Sequence, residues 1–248
     1  MMQTDAERLT ARVRDAVRQA SLRGRPYFVG FLDPSQAALC ARKAGAGASA
    51  LAWGGFCGAE RVVFGVFPPE QSPDPARFPI SALEVRFRRG AGLTHRDFLG
   101  SLMALGVERD TVGDLLIEDG RAVLFVRREL AAHLAQQLDR VGREGVHTAE
   151  AADPVLPPPP ALAPISTTVA SARLDCVVAA LAHCGRTEAA SRIARGLVSC
   201  SGEVRTESDA AVAEGDVIAI RGEGKFRIDA LGPRTKKQRL SLRAGKYA

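Results

Sequence analysis

Six of the chain's fourteen prolines lie in the eleven residues from Pro154 to Pro164, four of them in a row at positions 157–160. Proline fixes φ and removes a backbone donor, so neither a helix nor a central strand can pass through such a stretch. The run favours an extended polyproline conformation and works as a semi-rigid spacer of about 3 Å per residue. Residues 149–164 therefore divide the chain into two parts, each of which must bury a core of its own. The total of 248 residues leaves room for this, since domains of about 50–200 residues are ordinary.

Ahead of the spacer, Thr4 followed by Glu7 forms a capping box, and Leu9, Val13, Ala16 and Ala20 line an apolar stripe. The chain thus opens with an amphipathic helix that ends near Gly24 and Pro26. Residues 27–32 read as a strand, 34–43 as a helix opened by Asp33-Pro34, and 50–53 and 61–67 as strands. Prolines at 68, 69, 73 and 75 interrupt the pattern. A second series begins with an alternating strand at 80–88 and a helix from Thr94 that carries Phe98, Leu102 and Leu105. A short helix is expected at 109–113. Residues 115–118 and 122–127 flank Asp119-Gly120, a two-residue hairpin signal. Residues 129–138 read as a helix and 140–146 as extended chain. The expected fold class is α+β: an N-terminal α/β sandwich half with helices on one sheet face. That half is either one domain or two, divided as a helix and α/β module at 1–79 and an RRM-like α+β RNA-binding module at 80–148.

After the spacer, a strand at 167–169 leads to a helix at 173–183, a turn at Cys184-Gly185 and a second helix from Thr187, its expected N-cap, to Arg195. Gly196 stands where a helix end needs a left-handed residue. Short strands follow at 197–200, around Val204 and at 217–221. From Gly224 to Ala248 eight basic residues face Asp229 alone, a net +7, whereas the rest of the chain carries −1. Such concentration is the footprint of a protein that neutralises phosphates, and equally of a solvated tail.

The string Arg173-Leu174-Asp175, Gly185-Arg186, the run from Gly196 through Leu197, Val198 and Ser199 to Cys200-Ser201-Gly202, and Gly215-Asp216 resembles, in order and spacing, the RNA-binding domain first described in ribosomal protein S-four. Gly185 stands where that family has serine, and Cys200-Ser201 where it has Val-Asn. The resemblance implies a small S-four-type RNA-binding domain at 165–232, joined by the Pro-rich linker 149–164 to the first half and followed by a basic tail at 233–248. Helix N-termini and arginine forks suit phosphate oxygens. The candidate RNA contacts are Arg173, Arg186, Thr187, Arg195, Lys225, Arg234, Lys236 and Lys237, with His95 and Arg96 in the first half.

Further strings widen the resemblance: Phe31-Leu32-Asp33-Pro34, Gly54-Gly55-Phe56 with Ala59-Glu60-Arg61, the run from Leu93 to Gly100, Leu105-Gly106-Val107 with Arg109, and Val112-Gly113-Asp114. Together with the C-terminal module they are similar to the bacterial YlmH family. The resemblance implies a protein that binds rRNA and peptidyl-tRNA on the large ribosomal subunit and serves the quality control of stalled translation; residues 1–145 hold no clustered acid, base or cofactor cradle, so a noncatalytic protein is expected, cytoplasmic and monomeric. Two other classes stay open: an RNA-modifying enzyme like the pseudouridine synthases, whose catalytic aspartate lies in a string like 173–175, and a protein-binding adaptor linked to cell division.

The remaining chemistry-bearing residues are better explained structurally. His95-Arg96-Asp97 echoes a kinase catalytic loop, but the asparagine and glycine-rich loop that must accompany it are missing, and Thr94 and Asp97 suit a helix start. Trp53 and Phe56 are expected in the core. Five cysteines without a C-x-x-C pair suit reduced thiols, and the four histidines show no ligand spacing with them, so no metal and no cofactor are expected. No apolar run approaches the roughly 20 residues that a bilayer requires, so no membrane partner is expected. Asp5, Glu7 and Asp15 argue against a transit peptide.

Overall fold

The opening apolar stripe folds as α1 (Asp5–Arg23), which buries Leu9, Val13, Ala16 and Ala20. The computed structural model describes residues 5–158, 162–235 and 238–247. Thr4 of the expected capping box, Pro159 and Pro160 of the spacer, and Lys236 and Lys237 lie outside them. The chain divides into two compact units, Met1–Pro158 and Pro159–Ala248.

In the first unit β1 (Tyr27–Leu32) leads to α2 (Pro34–Ala44), started by a reciprocal cap between Asp33 and Gln36 with Pro34 in its first turn. β2 (Ala50–Trp53) and β3 (Val62–Val66) complete an antiparallel sheet of order β1-β3-β2. A register shift between Val29 and Phe31 sends their side chains to opposite faces. Val29 and Leu32 pack beneath α1 and α2 with Cys40, Phe64 and Val66, whereas Phe31 and Val63 look the other way.

What they meet is a second sheet. β4 (Ile80–Arg86), α3 (His95–Ala104), β5 (Val112–Glu118), β6 (Arg121–Arg127), α4 (Arg128–Gln137), a small hairpin of β7 (Arg140–Val141) with β8 (Glu144–Gly145), and β9 (His147–Ala151) follow in sequence. The order β5-β6-β4-β9 is antiparallel throughout, so the strands and helices form a β-α-β-β-α-β unit. Asp119-Gly120 makes the expected tight turn, with Gly120 at φ +87°. One face, with Leu83, Val85, Leu124 and Val126, packs on Phe98 and Leu102 of α3 and Leu134 of α4. The other face, with Ala82, Val123 and Phe125, shares a core with Phe31, Val63, Phe67 and Phe78.

The first unit is therefore four layers deep, helices outside and two sheets inside. The break expected at residue 79 falls across this shared aromatic core. Two glycines permit the close approach of the sheets: a Cβ at Gly113 would stand 2.5 Å from the Phe31 ring, and one at Gly55, where φ is +104°, would collide with Phe125. The expected spacer also starts later than position 149. Ala149 and Ala151 pair with Glu84 and Ala82 as the end of β9.

In the second unit β10 (Ala163–Val169), α5 (Leu174–Leu181), α6 (Arg186–Ala194), β11 (Val198–Cys200), β12 (Glu203–Val204), β13 (Val217–Ile220), β14 (Gly224–Arg234) and β15 (Leu240–Lys246) build a six-stranded sheet. Its order is β10-β15-β14-β13-β11-β12. Leu174, Val177, Val178 and Leu181 of α5 and Ala189 and Ile193 of α6 pack on Ile218, Phe226, Ile228, Leu242 and Ala244. Two expectations are corrected here. Within the segment expected as a basic tail, residues 240–246 form β15 instead, paired with β10 on one side and β14 on the other. Thr187 is not the N-cap of α6; Gly185 is, with extended φ and ψ and no capping side chain. Pro164 is tolerated within β10 because that strand is an edge and has one neighbour only. Gly196, at φ +68°, ends α6 as expected.

Candidate nucleic-acid interface

The start of α5 is pinned by backbone bonds from Leu174 N to Ala210 O and from Asp175 N to Ser208 O, both 2.9 Å. This anchorage buries Asp175 to 4% exposure, and two arginines converge on it. Arg173 donates from Nε to Oδ1 at 3.2 Å and from Nη2 to Oδ2 at 3.3 Å; Arg186, from the first turn of α6, donates from Nη2 to Oδ2 at 2.7 Å. Burial by itself pushes the carboxyl up, but the bonds from Arg173 and Arg186 outweigh it and hold its pKa far below the usual carboxylate range. The same bonds raise both arginines. With side chains 43% and 59% exposed, Arg173 and Arg186 form a fixed cationic pair at the surface, two positive charges on one negative anchor. Both Asp175 oxygens accept from guanidinium groups, an arrangement that suits an anchor.

Of the other candidates, Thr187 is exposed beside Arg186, and Arg195 lies exposed at the far end of the nine-residue α6. Their separation is about 12 Å along the helix axis. The structure thus gathers Arg173, Arg186 and Thr187 and sets Arg195 apart. Arg192 does not point to a ligand; it ties Glu188 at 2.7 Å to Glu223 at 2.9 Å and so fastens α6 to the β13–β14 turn. Lys225 and Arg234 stand exposed on β14, Arg234 donating from Nη1 to Gln238 O at 3.1 Å. The sequence reading named neither Arg227, inside its S-four-type domain, nor Arg239 and Arg243, in its basic tail, as a contact. Their signal was the alternation of Leu240, Leu242 and Ala244 with Ser241 and Arg243.

In the first unit His95 and Arg96 are exposed in the opening turn of α3. Asp97 serves as the reciprocal cap of Thr94, accepting from its N at 2.8 Å and its Oγ1 at 2.6 Å. These bonds, that of the Thr94 hydroxyl first, lower the Asp97 pKa. The sheet face on which an open RRM stacks bases is covered here by the first sheet: Phe125 stacks on Phe56 with centroids 4.9 Å apart. Beside that contact a cleft of about 580 Å³ remains, lined by Trp53, Phe78, Phe125, Arg128 and Glu150.

Four of the first unit's strings that resemble the YlmH family, those holding Phe31, Arg61, Arg109 and Asp114, meet in a joint. Arg61 donates from Nε to Val112 O at 2.9 Å and from Nη2 to Phe31 O at 2.8 Å and Arg109 O at 3.0 Å. Asp114 accepts from the backbone N–H groups of Glu60 at 2.6 Å and Arg61 at 3.0 Å. Burial foremost lowers the Arg61 pKa and raises that of Asp114, the mark of charges held in the seam between two sheets.

The thiols are equally structural. Burial pushes Cys40 and Cys200 up to about 11, where little reactive thiolate exists at neutral pH. Cys57 is exposed. Alkylation with iodoacetamide at pH 8 is expected to label Cys57 first and to leave Cys40 and Cys200 unmodified until the chain is denatured. Peptide mass spectrometry along a time course reads the order; early modification of Cys40 would contradict it. Among the described residues no group of three or more His, Cys, Asp or Glu is placed to hold a metal ion, and no helix is long and apolar enough to cross a membrane.

A mixed α+β chain with clustered surface arginines defines a class, and the comparisons sharpen it. Residues 73–153, the second sheet with its helices, match the family model described as "Putative RNA-binding domain in YlmH". The chain is 31% identical over 212 residues to the ribosome-associated protein quality control protein P2 of Bacillus subtilis (strain 168), covering 84% of this chain and 82% of that protein. It is also similar in fold to a solved structure, the cell division protein ylmH from Streptococcus pneumoniae, with a TM-score of 0.53 and 20% identity over 61% of this chain and 93% of that one. The chain belongs to the YlmH family.

Proposed function

We propose that this chain is a noncatalytic RNA-binding protein that acts on the large ribosomal subunit in the quality control of stalled translation. In this reading residues 165–232 are an S-four-type domain, extended by β15, and residues 80–148 are an RRM-like module. Both contact rRNA and tRNA, and the protein works as a cytoplasmic monomer. The observation that carries it is the pair Arg173 and Arg186 held at the surface on one buried carboxylate. A fixed guanidinium pair recognises phosphate position and RNA shape rather than base sequence. The name of the Bacillus relative supplies the ribosomal setting.

The test is the salt dependence of binding to isolated large subunits carrying peptidyl-tRNA. Each phosphate neutralised releases counterions, so log K falls linearly with log salt. Replacing Arg186, Lys236 and Lys237 together with alanine is expected to weaken binding and flatten that line by about two to three units. An unchanged slope in the folded triple variant would place the RNA face elsewhere.

A further inference from the structure

The sheet of the second unit has two faces, and the helices cover only one. Alternation sends Phe226 and Ile228 of β14 and Leu242 and Ala244 of β15 beneath α5 and α6, so the residues between them, Arg227 and Arg243, stand on the uncovered face, both exposed. Their placement follows from the register. Arg227 lies opposite Gly245 and Arg243 opposite Ala230, with the chain shifted between Ile228 and Ala230. The two guanidinium stems therefore rise from neighbouring strands, about 7–8 Å apart on the diagonal.

Arg239 joins them from the loop before β15. Its Nε donates to Thr168 Oγ1 at 2.9 Å and its Nη2 to Thr168 O at 2.7 Å, which fixes it across the β10–β15 pair without neutralising its charge. Arg243 has no carboxylate partner among the described residues, and only Arg227 is paired, with Asp229 at 2.7 Å. Between these cations the face carries the hydroxyl of Ser166, opposite Arg243 on β10.

We infer that this uncovered face, centred on Arg239 and Arg243, is a second RNA-binding surface that takes the backbone of helical RNA. The unit then holds two RNA segments, one on the helix layer and one on the sheet. The occupant follows from shape and charge. The face is a pleated surface on which Leu162 lies over Gly245 at one end, while the part around Arg239 and Arg243 carries cations and short hydroxyls, which suits phosphates and 2′-hydroxyls of a helix whose bases are turned inward. The surface does not depend on the Arg173–Arg186 pair, because the two sites lie in different layers.

The experiment uses the full chain and a blunt 20-base-pair RNA duplex, read by fluorescence anisotropy across salt and by mass photometry with duplex in excess. The parent chain is expected to carry two duplexes. Arg239→Glu with Arg243→Glu should leave one, lower affinity about tenfold and flatten the salt dependence by about two units. Arg173→Ala with Arg186→Ala should also leave one, by losing the other. Arg243→Gln, which removes a charge without touching the Thr168 bonds, covers the case in which the double reversal unfolds the sheet; it should flatten the slope by about one unit. Unchanged stoichiometry and slope in folded Arg243→Gln would overturn the inference. So would the parent chain binding phosphatidylserine vesicles through this face while the reversal leaves duplex binding intact. Loss of binding in the sheet variant alone would instead overturn the helix-layer reading and leave this one standing.

Discussion

Replacing Arg61 with alanine is expected to destabilise the first unit by about 3–4 kcal/mol, the sum of several charge-assisted hydrogen bonds discounted for non-additivity. For a unit of this size that is a fall in melting temperature of roughly 6–15 °C. The reason is geometric. One guanidinium reaches Phe31 O on β1, Val112 O at the start of β5 and Arg109 O in the turn before it. Alanine would take the guanidinium away from Phe31 O in the part-buried seam, whereas Arg109 O, at an exposed site, keeps its bond from Val112 N. Val112 O keeps a second bond, 2.7 Å from Arg109 Nη1, which limits the loss. Lysine at position 61 should recover only part of the stability, because one ammonium cannot span a fork that an arginine spans as a plane. The control is Arg18→Ala. Arg18 pairs with Asp15 at 2.7 Å, but both side chains are more than half exposed, and its removal should change stability by no more than about 0.5 kcal/mol. Urea denaturation of the three variants separates these values. A loss below about 1 kcal/mol for Arg61→Ala, less than a single charged bond is worth, would mean that the aromatic core alone holds the sheets together.

That joint bears on what sequence can disclose. Elements governed by neighbours in the chain were legible: the stripe of α1, the reciprocal cap of Thr94 and Asp97, the Asp119-Gly120 hairpin and the glycine that ends α6 all depend on residues within a turn or two. Elements governed by distant partners were not. Nothing local distinguishes Phe31 and Val63, which face a second sheet, from Val29 and Phe64, which face the helices; the register shift at Gly30 sorts them. The seven residues of β15 read as tail because the segment 233–248 around them carries six basic residues, yet their inward residues Leu242 and Ala244 find a place between β10 and β14. Burial of those two side chains, at 0% and 1% exposure, outweighs the charge pattern around them.

The candidate site divides along the same line. Arg173, Asp175 and Arg186 were singled out from order and spacing. Their convergence on one carboxylate was not visible, because eleven residues and a helix turn separate Asp175 from Arg186. Asp175 lies in the first turn of α5, where a carboxylate suits the helix dipole. Its larger part is to hold two side chains that would otherwise wander.

Replacing Asp175 with asparagine therefore sets two accounts of the interface against each other. Counting charge alone, the variant removes a negative group from a cationic surface and should bind RNA more tightly. If the carboxylate pre-organises the arginines, the variant should bind more weakly although both arginines remain. Ordering two long side chains afresh costs about 0.5–1.5 kcal/mol each, which is a loss of roughly 5- to 150-fold. The second outcome is expected. Stability of the second unit should fall as well, by about 2 kcal/mol, since the lost bonds are charge-assisted but their donors are partly exposed and screened. Acid should imitate the substitution. The folded pKa of Asp175 lies below that of an unfolded aspartate, about 3.9, so its contribution is complete above that value and drains away as pH falls beneath it. Between pH 5 and 8 the parent's margin over Asp175→Asn should stay constant, and below about pH 4 the two should converge. A variant that binds RNA as tightly as the parent, or more tightly, with the same salt slope would show that the arginines need no anchor.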